Sequence, residues 1–414
     1  MSVPAAAIFK EALHLDDPWN IIELKFSPEL KRLDIRVAFP KGNTFACPDC
    51  GHLQSTYRTN DRVWKHLGFF EHETYLHAKQ PQLKCPHCEK TRYVEVPWAR
   101  PGSGFTLLFE ALTMELAPVI PLTVVAGLLG TYSSRLMRII TFYVNQARTV
   151  VDMSQVKNIG VDETSRKKGH EYITTVIDLD DKKVVFATEG KDHTTLERFK
   201  TDLIFHNGQP NQIKSACINL SRAFIKGMAD NFPEAVITYD HFHVMQLVNQ
   251  AVDQVRREEV IYYPSLKNSR FAWLKNPNDL TKKQQTTVEA LSKRHLKTSR
   301  AYQMKLNLQS IYVIEDRTEA EKLLKRWYFW VTHCRIKPMI DLVKTIKRHW
   351  QGILNYFINK LTNGLCEGIN SIIQGLKRRA RGYTNTDNLI TMVYLLKGKL
   401  NFNLPTVSQL TCYR

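Results

Sequence analysis

Nothing in this 414-residue chain runs apolar for long. A helix that crosses a bilayer needs about 18 or more apolar residues in a row, and charged side chains interrupt every such run first, so no membrane span is expected. The opening stretch, Met1 to Lys10, is mildly apolar but lacks the basic cluster of a secretory signal, so none is expected. Cysteine is sparse. Eight in a chain this size do not make a disulfide scaffold. Four stand in two tight pairs, which points to a metal in a reducing cytoplasm. The other four, Cys217, Cys334, Cys366 and Cys412, are scattered and read as buried or incidental thiols. Acid is short too: 40 Asp and Glu face 58 Lys and Arg, a net charge of +18. A field of that sign favours a polyanion, with nucleic acid first in line. Hydrophobic residues at 43% and charged ones at 24% are ordinary for a globular protein, and the length allows two or three domains with cores of their own.

The paired cysteines are Cys47-Pro-Asp-Cys50-Gly51 and Cys85-Pro-His-Cys88. Each Cys-x-x-Cys turn aims two thiolates at one point, and two such knuckles close a tetrahedral four-sulfur zinc site. Gly51 supplies a permissive backbone after the second cysteine. No strand-helix-strand pattern of a redox dithiol surrounds either pair. With four thiolates at hand, His52, His66, His72, His77 and His87 read as surface or DNA-facing residues. Arg58, Arg62, Trp64, Lys65 and His66 suggest basic, aromatic loops at a nucleic-acid edge.

A Pro/Gly-rich linker, Pro97 to Gly104, follows, and beyond it the pattern turns helical. In Pro121 to Ile140, Ala126 allows close helix packing and a glycine takes the awkward dihedral of the turn. Ser133 is placed as an N-cap, and Leu136 and Ile139 share the inner face of a second helix. Ser134, Arg135 and Arg138 then point outward, as in a DNA-reading helix-turn-helix.

From Asn158 the pattern changes again. Asn158-Ile-Gly-Val-Asp162, Tyr172 to Asp178 and Val184 to Thr188 are three strands rich in β-branched residues, joined by tight turns. The first turn is basic (Arg166, Lys167, Lys168, Gly169). A helix from Thr194 to Leu203, a strand from Ile213 to Asn219, a helix from Ser221 to about Asn231 and a strand from Ala235 to Asp240 come next. This is the chain order of a ribonuclease-H-like core. In that fold, acids ending the first and fourth strands lie side by side, and a late helical acid joins them to hold two divalent metals. Asp162 and Glu367 fit two places, and Asn219 stands in the third. Asp240, ending the fifth strand, is the rival second acid. Asp178 and Asp180 read as turn residues.

A helix from His241 to Val260 follows, then a charged, aromatic stretch, about 262–345, with helical patches at Leu280 to Leu296 and Thr318 to Trp330. It reads as a helical insertion. Its Lys282, Lys283, Lys293, Arg294 and Lys297 fit a solvated face or a DNA track. In the late segment, Asn363 caps a helix on which Glu367 and Asn370 share one face. Lys377, Arg378, Arg379 and Arg381 follow, bases for phosphate on the helix that carries the acid.

Taken together these residues resemble the ISL-three family of bacterial insertion-sequence transposases over nearly the whole chain. The double Cys-x-x-Cys finger, Pro121-Leu122-Thr123, Gly160-Val-Asp162-Glu163, Phe232-Pro-Glu-Ala235, Tyr239-Asp-His-Phe-His-Val244 and Asn363-Gly-Leu-Cys-Glu367-Gly-Ile-Asn370 carry the resemblance. It implies two aspartates and a glutamate on a ribonuclease-H-like core, with Asp162 first and Glu367 last. Asn219 stands where the family has its second Asp.

The expected architecture is multidomain α/β. An N-terminal segment (1–45) precedes a zinc-binding β module (46–100) and a helix-turn-helix domain (101–150). A ribonuclease-H-like mixed-sheet core (151–255 and 346–414) carries a helical insertion (256–345). The expected function is that of a DNA transposase. It binds the terminal inverted repeats of an insertion sequence and uses two Mg or Mn ions for strand cleavage and transfer, with zinc purely structural. With Asn219 the chain reads as a catalytically inactive Asp-to-Asn form. The alternatives are a non-catalytic DNA-binding descendant and an unrelated metal nuclease. Double-stranded DNA, both transposon ends and target, is the expected partner. A homodimer or larger synaptic assembly, cytoplasmic and nucleoid-associated, is the expected state.

Overall fold

The structure, a computed structural model, describes residues 5–167, 169 and 171–405. Lys168 of the basic turn and Cys412 lie outside the described residues. The chain forms two compact units, Met1–Arg148 with Leu400–Arg414, and Thr149–Lys399.

The first unit opens with α1 (Ala5–Ala12), β1 (Asn20–Ser27) and β2 (Arg32–Ala38). A short hairpin of β3 (Thr44–Ala46) and β4 (Leu53–Ser55) follows, then β5 (Arg58–Lys65), β6 (Glu73–Cys85) and β7 (Lys90–Tyr93). The main sheet has the order β1-β2-β6-β5, and β7 pairs with the second half of β6. It draws in residues 20–38, so it runs across the boundary expected at 45/46. Alternation decides its faces: Leu33, Ile35 and Val37 of β2 and Thr74, Leu76 and Ala78 of β6 point into the core, where Trp19, Trp64 and Trp98 pack. Trp64 and Lys65 are 1% and 8% exposed within β5, and His66 is held by Thr106. These three are packing residues, which removes them from the expected nucleic-acid edge, while Arg58 is exposed and Arg62 half-buried.

Helices α2 (Leu107–Leu116), α3 (Leu122–Leu128) and α4 (Ser133–Thr149) complete this unit. Thr106 caps α2 through the Phe109 amide. Glu110 is fully buried, yet its carboxylate is satisfied by Arg100, Ser103 and Tyr143. One charge thereby fastens the linker and α4 to α2. Gly130 turns the chain between α3 and α4 at φ +59°. Its carbonyl accepts from Lys65 Nζ at 2.5 Å, and that amine pairs with Glu73 at 2.6 Å.

The second unit begins with β8 (Asn158–Lys167), β9 (Glu171–Asp178) and β10 (Lys183–Glu189), then α5 (Thr194–Phe205), β11 (Ser215–Ile218), α6 (Arg222–Asn231) and β12 (Val236–Tyr239). The sheet order is β10-β9-β8-β11-β12; the first three strands are antiparallel, and β11 and β12 run parallel to β8. This is the ribonuclease-H-like mixed sheet. β11 and the first half of β8, Ile159 to Asp162, are buried on both faces, whereas β8 turns polar and partly exposed beyond Asp162. β8 runs five residues past Asp162, its expected end, because β9 continues to pair with it.

Seven helices separate β12 from the last acid: α7 (His241–Glu259), α8 (Arg270–Leu274), α9 (Lys282–Ser292), α10 (Lys297–Ile311), α11 (Arg317–Thr332), α12 (Lys337–Arg348) and α13 (Trp350–Asn359). The single helical patch expected over 280–296 stops at Ser292, and His295 takes φ +53°. α10 starts anew because buried Glu259 accepts the Lys297 and Thr298 amides. Lys305, 1% exposed, bonds the carbonyls that end α8, and burial pushes its amine down to about 8. Lys282, Lys283, Lys293, Arg294 and Lys297 are exposed.

The chain closes with α14 (Gly364–Arg379) and α15 (Thr386–Lys397), which lie against β8 and β10 respectively. α14 is stitched along β8. Asn363 bonds the Val161 carbonyl, Gln374 bonds Thr164 and Ser165, and Lys377 reaches the Ser165 carbonyl at 2.5 Å. Gly160 makes the approach possible: a Cβ there would meet Cys366 Sγ at 2.6 Å and Leu179 at 3.0 Å. Gly160→Ala is therefore expected to destabilise the unit by ~1–3 kcal/mol through overpacking, read as a lower urea midpoint. Adding Cys366→Ala removes the clashing sulfur and should restore part of the loss.

Candidate active site and zinc centre

The four finger cysteines converge. Cys47 and Cys50 lie in the hairpin between β3 and β4; Cys85 ends β6, and Cys88 sits in the turn to β7. The Cys47–Cys88 and Cys50–Cys85 sulfurs are 3.7 and 3.5 Å apart, and all four lie within 4.8 Å of one another. A tetrahedral zinc with ordinary zinc–sulfur bonds needs sulfurs about 3.8 Å apart, so the donor set fits. The cluster is uneven: the Cys88 amide leads the groups that lower the Cys85 thiol to about 7, while the Cys50 and Cys88 thiols are raised. Gly51 takes φ +74°, and the rings of His52 and His87 stack at 3.9 Å.

In the helix-turn-helix, Leu136 and Ile139 are buried, and Ser134, Arg135 and Arg138 are exposed on α4. Ser133 is the first helical residue, one past its expected cap position, because Arg135 and Leu136 both bond the Tyr132 carbonyl. The Arg135 guanidinium lies 4.3 Å over the Phe105 ring, which holds one face of it.

The second unit's cleft follows from strand register. Val161 pairs with Ile218, and Ile218 with Tyr239. The next residues, Asp162, Asn219 and Asp240, therefore stand in a row at the carboxyl ends of three parallel strands, with Asn219 in the middle. An open cleft of about 620 Å³ lies over this row, lined by Asp162, Glu163, Asn219, His243, Glu367 and Asn370 among others. Crevices at strand carboxyl ends are the usual ligand sites of such sheets. Asp240 does not line it. At 1% exposure it accepts the Asn363 amide at 3.1 Å and so anchors the start of α14. That amide is the helix's link to β12; Asn363 stands at the cap position, but its side chain makes no cap bond and turns to Val161 and Cys366 instead.

Asp162 is fixed at both oxygens, by the Glu163 amide at 2.9 Å and Asn370 Nδ2 at 2.8 Å. Burial, and after it the neighbouring Glu163, pushes its carboxyl up to about 6. Burial and then Asp240 raise Glu367 as well. Both acids sit where an added cation would relieve the penalty. Glu367 Oε1, Asn370 Oδ1 and His243 Nε2 have no hydrogen-bond partner. Among the described residues, no three of the cleft's His, Asp and Glu groups gather as closely as the cysteines do.

Of the expected basic cluster, Arg378, Arg379 and Arg381 are exposed, whereas Lys377 is committed to Ser165 and Gln374. Asp178 takes the Asp180 and Asp181 amides, as a turn residue does. Sequence reasoning gave Glu163 no role, although its adjacency to Asp162 was on view. The bond from Asn370 to Asp162 was foreshadowed by its three-residue spacing from Glu367.

A metal-knuckle module, a helix-turn-helix and a ribonuclease-H-like cleft lined by acids define a DNA-recombining enzyme of the DDE type. Comparison with known proteins gives the family. A transposase family model, that of the ISL3 group, matches residues 159–393. The zinc-finger of transposase IS204/IS1001/IS1096/IS1165 matches 43–88, and the helix-turn-helix domain of transposase family ISL3 matches 94–144. The chain belongs to the ISL3 family of insertion-sequence transposases. It is 28% identical over 380 residues to the transposase for insertion sequence element IS1557 of Mycobacterium tuberculosis, covering 84% of this chain and 85% of that protein. It is 23% identical over 360 residues to the transposase for IS1001 of Bordetella parapertussis, covering 84% and 87%. Among the described residues, no helix is long and apolar enough to cross a membrane.

The four-thiolate site yields a direct expectation. Elemental analysis of reduced protein should find one zinc per chain. Cys85→Ser should lose it and loosen the first unit while the second unit's unfolding transition stays in place. A folded, reduced sample without zinc would refute the assignment.

Proposed function

We propose that this transposase binds the terminal inverted repeats of its insertion sequence through α4 and the zinc module and presents the strand to be cut at the Asp162–Glu367 cleft. We propose further that, with Asn219 in the middle of the row, the chain binds ends but is deficient in cleavage. The observation that carries this reading is the register itself, which sets residue 219 between Asp162 and Asp240 in a cleft that Glu367 also lines.

The cleft fits divalent cations in part. Asp162 and Glu367 supply charge, and the unpartnered oxygens of Glu367 and Asn370 supply open ligand positions. When bound, a pair of Mg or Mn ions would activate the attacking oxygen and stabilise the leaving one in an in-line displacement. The protein's own part is positional. Asn370 holds Asp162, Asp240 holds the start of α14, and Arg378, Arg379 and Arg381 offer charge to phosphate along the same helix. Asn219 offers an amide oxygen without the charge that bridges two cations. Its carbonyl oxygen is already taken by the Ser221 amide at 2.9 Å. Asp240, buried beneath the cleft, is tied to Asn363 and is read as an anchor rather than the second acid.

Synapsis of two ends calls for a dimer or larger assembly, and the cytoplasm is the compartment where such an enzyme meets its DNA. A second reading, a DNA-binding descendant without catalysis, is favoured by one observation only, the neutral residue at 219. All four cysteines, Asp162 and Glu367 stand intact, which supports a specific Asp-to-Asn difference over general decay.

The test uses gel shifts on the element's ends together with Mg- or Mn-dependent nicking. The native chain should bind ends, with affinity falling steeply as salt rises, and nick little. Asn219→Asp should nick, and adding Glu367→Gln should abolish nicking with end binding nearly unchanged. If Asn219→Asp stays inert while the native chain nicks, position 219 is not the second-acid place.

A further inference from the structure

Glu163 follows the first acid on β8 and lines the cleft beside it. Its Oε2 accepts from Asn219 Nδ2 at 2.6 Å. The amide cannot be turned the other way, because its oxygen accepts from the Ser221 amide at 2.9 Å. Two neighbours thus fix which end of Asn219 faces Glu163. Glu163 is also fixed: its backbone is paired to Thr174 in β9, and its amide bonds Asp162. On the far side of residue 219 stands Asp240, 1% exposed, with Oδ2 lacking any hydrogen-bond partner.

We propose that Glu163 and residue 219 work as one unit in the cleft: asparagine at 219 satisfies the Glu163 carboxylate without a cation, and aspartate at 219 makes the two carboxylates joint ligands of a divalent cation. The proposal rests on the reading of 219 as the second-acid place and adds a cation-facing residue to it.

The physics is a matter of what stands across a short gap. With Asn219 a donor faces an acceptor, and the contact is a charge-assisted hydrogen bond. With Asp the Ser221 amide would hold one oxygen in the same orientation, leaving the other against Glu163 Oε2. Two anionic oxygens at that separation repel strongly in a half-buried site. A cation between them turns the repulsion into coordination, since hard divalent ions take several carboxylate oxygens at once. The cleft of this chain is accordingly self-satisfied at the place where an acid would demand a metal. Exchange of the two residue types, glutamine at 163 and aspartate at 219, would keep the hydrogen bond with donor and acceptor interchanged. That exchange separates the pair's charge from its shape.

The test is calcium and manganese titration of zinc-loaded, full-length protein by calorimetry, with thermal melts with and without the cation. Three proteins are compared: native, Asn219→Asp, and Asn219→Asp with Glu163→Gln. Asn219→Asp should bind the cation at least tenfold more tightly than native. It should melt below native without cation and recover with it. The double variant should melt like native without cation and lose at least tenfold of the affinity gained. If it keeps the full affinity of Asn219→Asp and the same depressed cation-free melt, Glu163 is no partner, though the reading of 219 stands. If Asn219→Asp gains no cation affinity at all, both the reading of 219 and the pairing fall. Circular dichroism and zinc content of each variant separate a misfolded chain from a folded one that does not bind.

Discussion

The second unit depends on how closely α14 lies along β8. The acid on the helix and the acid on the strand are about two hundred residues apart in sequence. No local preference brings them together. The missing side chain at Gly160 lets Cys366 settle against the strand, and Asn363, Gln374 and Lys377 tie the helix to it at both ends. The Asn363 and Gln374–Thr164 ties satisfy polar groups that close packing would otherwise strand away from water. Asp162 and Glu367 can then face one opening, and Asp240 can spend its charge on the helix start rather than on the cleft.

Buried charge serves as fastening elsewhere in the molecule too. Glu110 joins linker, α2 and α4; Glu259 starts α10; Lys305 ends α8. Each stands at a place where an element ends or two elements meet, and each answers backbone or side-chain polar groups there. Such groups cost stability when unpaired and contribute direction when paired. They explain how a long helical insertion with little regular patterning adopts one arrangement around Trp273, Tyr302 and Trp327.

What was legible in the sequence was local. The two Cys-x-x-Cys turns, the alternation of β9 and β10, the order of strands and helices through β12 and the shared face of Glu367 and Asn370 all follow from spacing within a few residues. The strand order in turn predicted that Asp162 and position 219 would be neighbours, and the register confirms that adjacency. What was illegible was set by distant partners. Trp64 and Lys65 look like an exposed basic–aromatic edge until β6 and the helix-turn-helix cover them. The break between α9 and α10 has no proline or glycine to mark it; it is made by a carboxylate from α7. The bond between Asn219 and Glu163 spans 56 positions and two strands, so neither residue's surroundings in the sequence hint at it.

β6 shows what such economy entails. One strand carries a finger cysteine, Cys85, at its last residue and, at its first, Glu73, which holds the lysine that clasps the turn ahead of α4. At about 3.4 Å per residue the two ends are some 40 Å apart, yet they belong to one strand of the sheet. The thiolate cluster and the turn before α4 are therefore joined through one strand. Loss of order at the thiolate end of β6 would act on a strand whose other end holds the turn before α4.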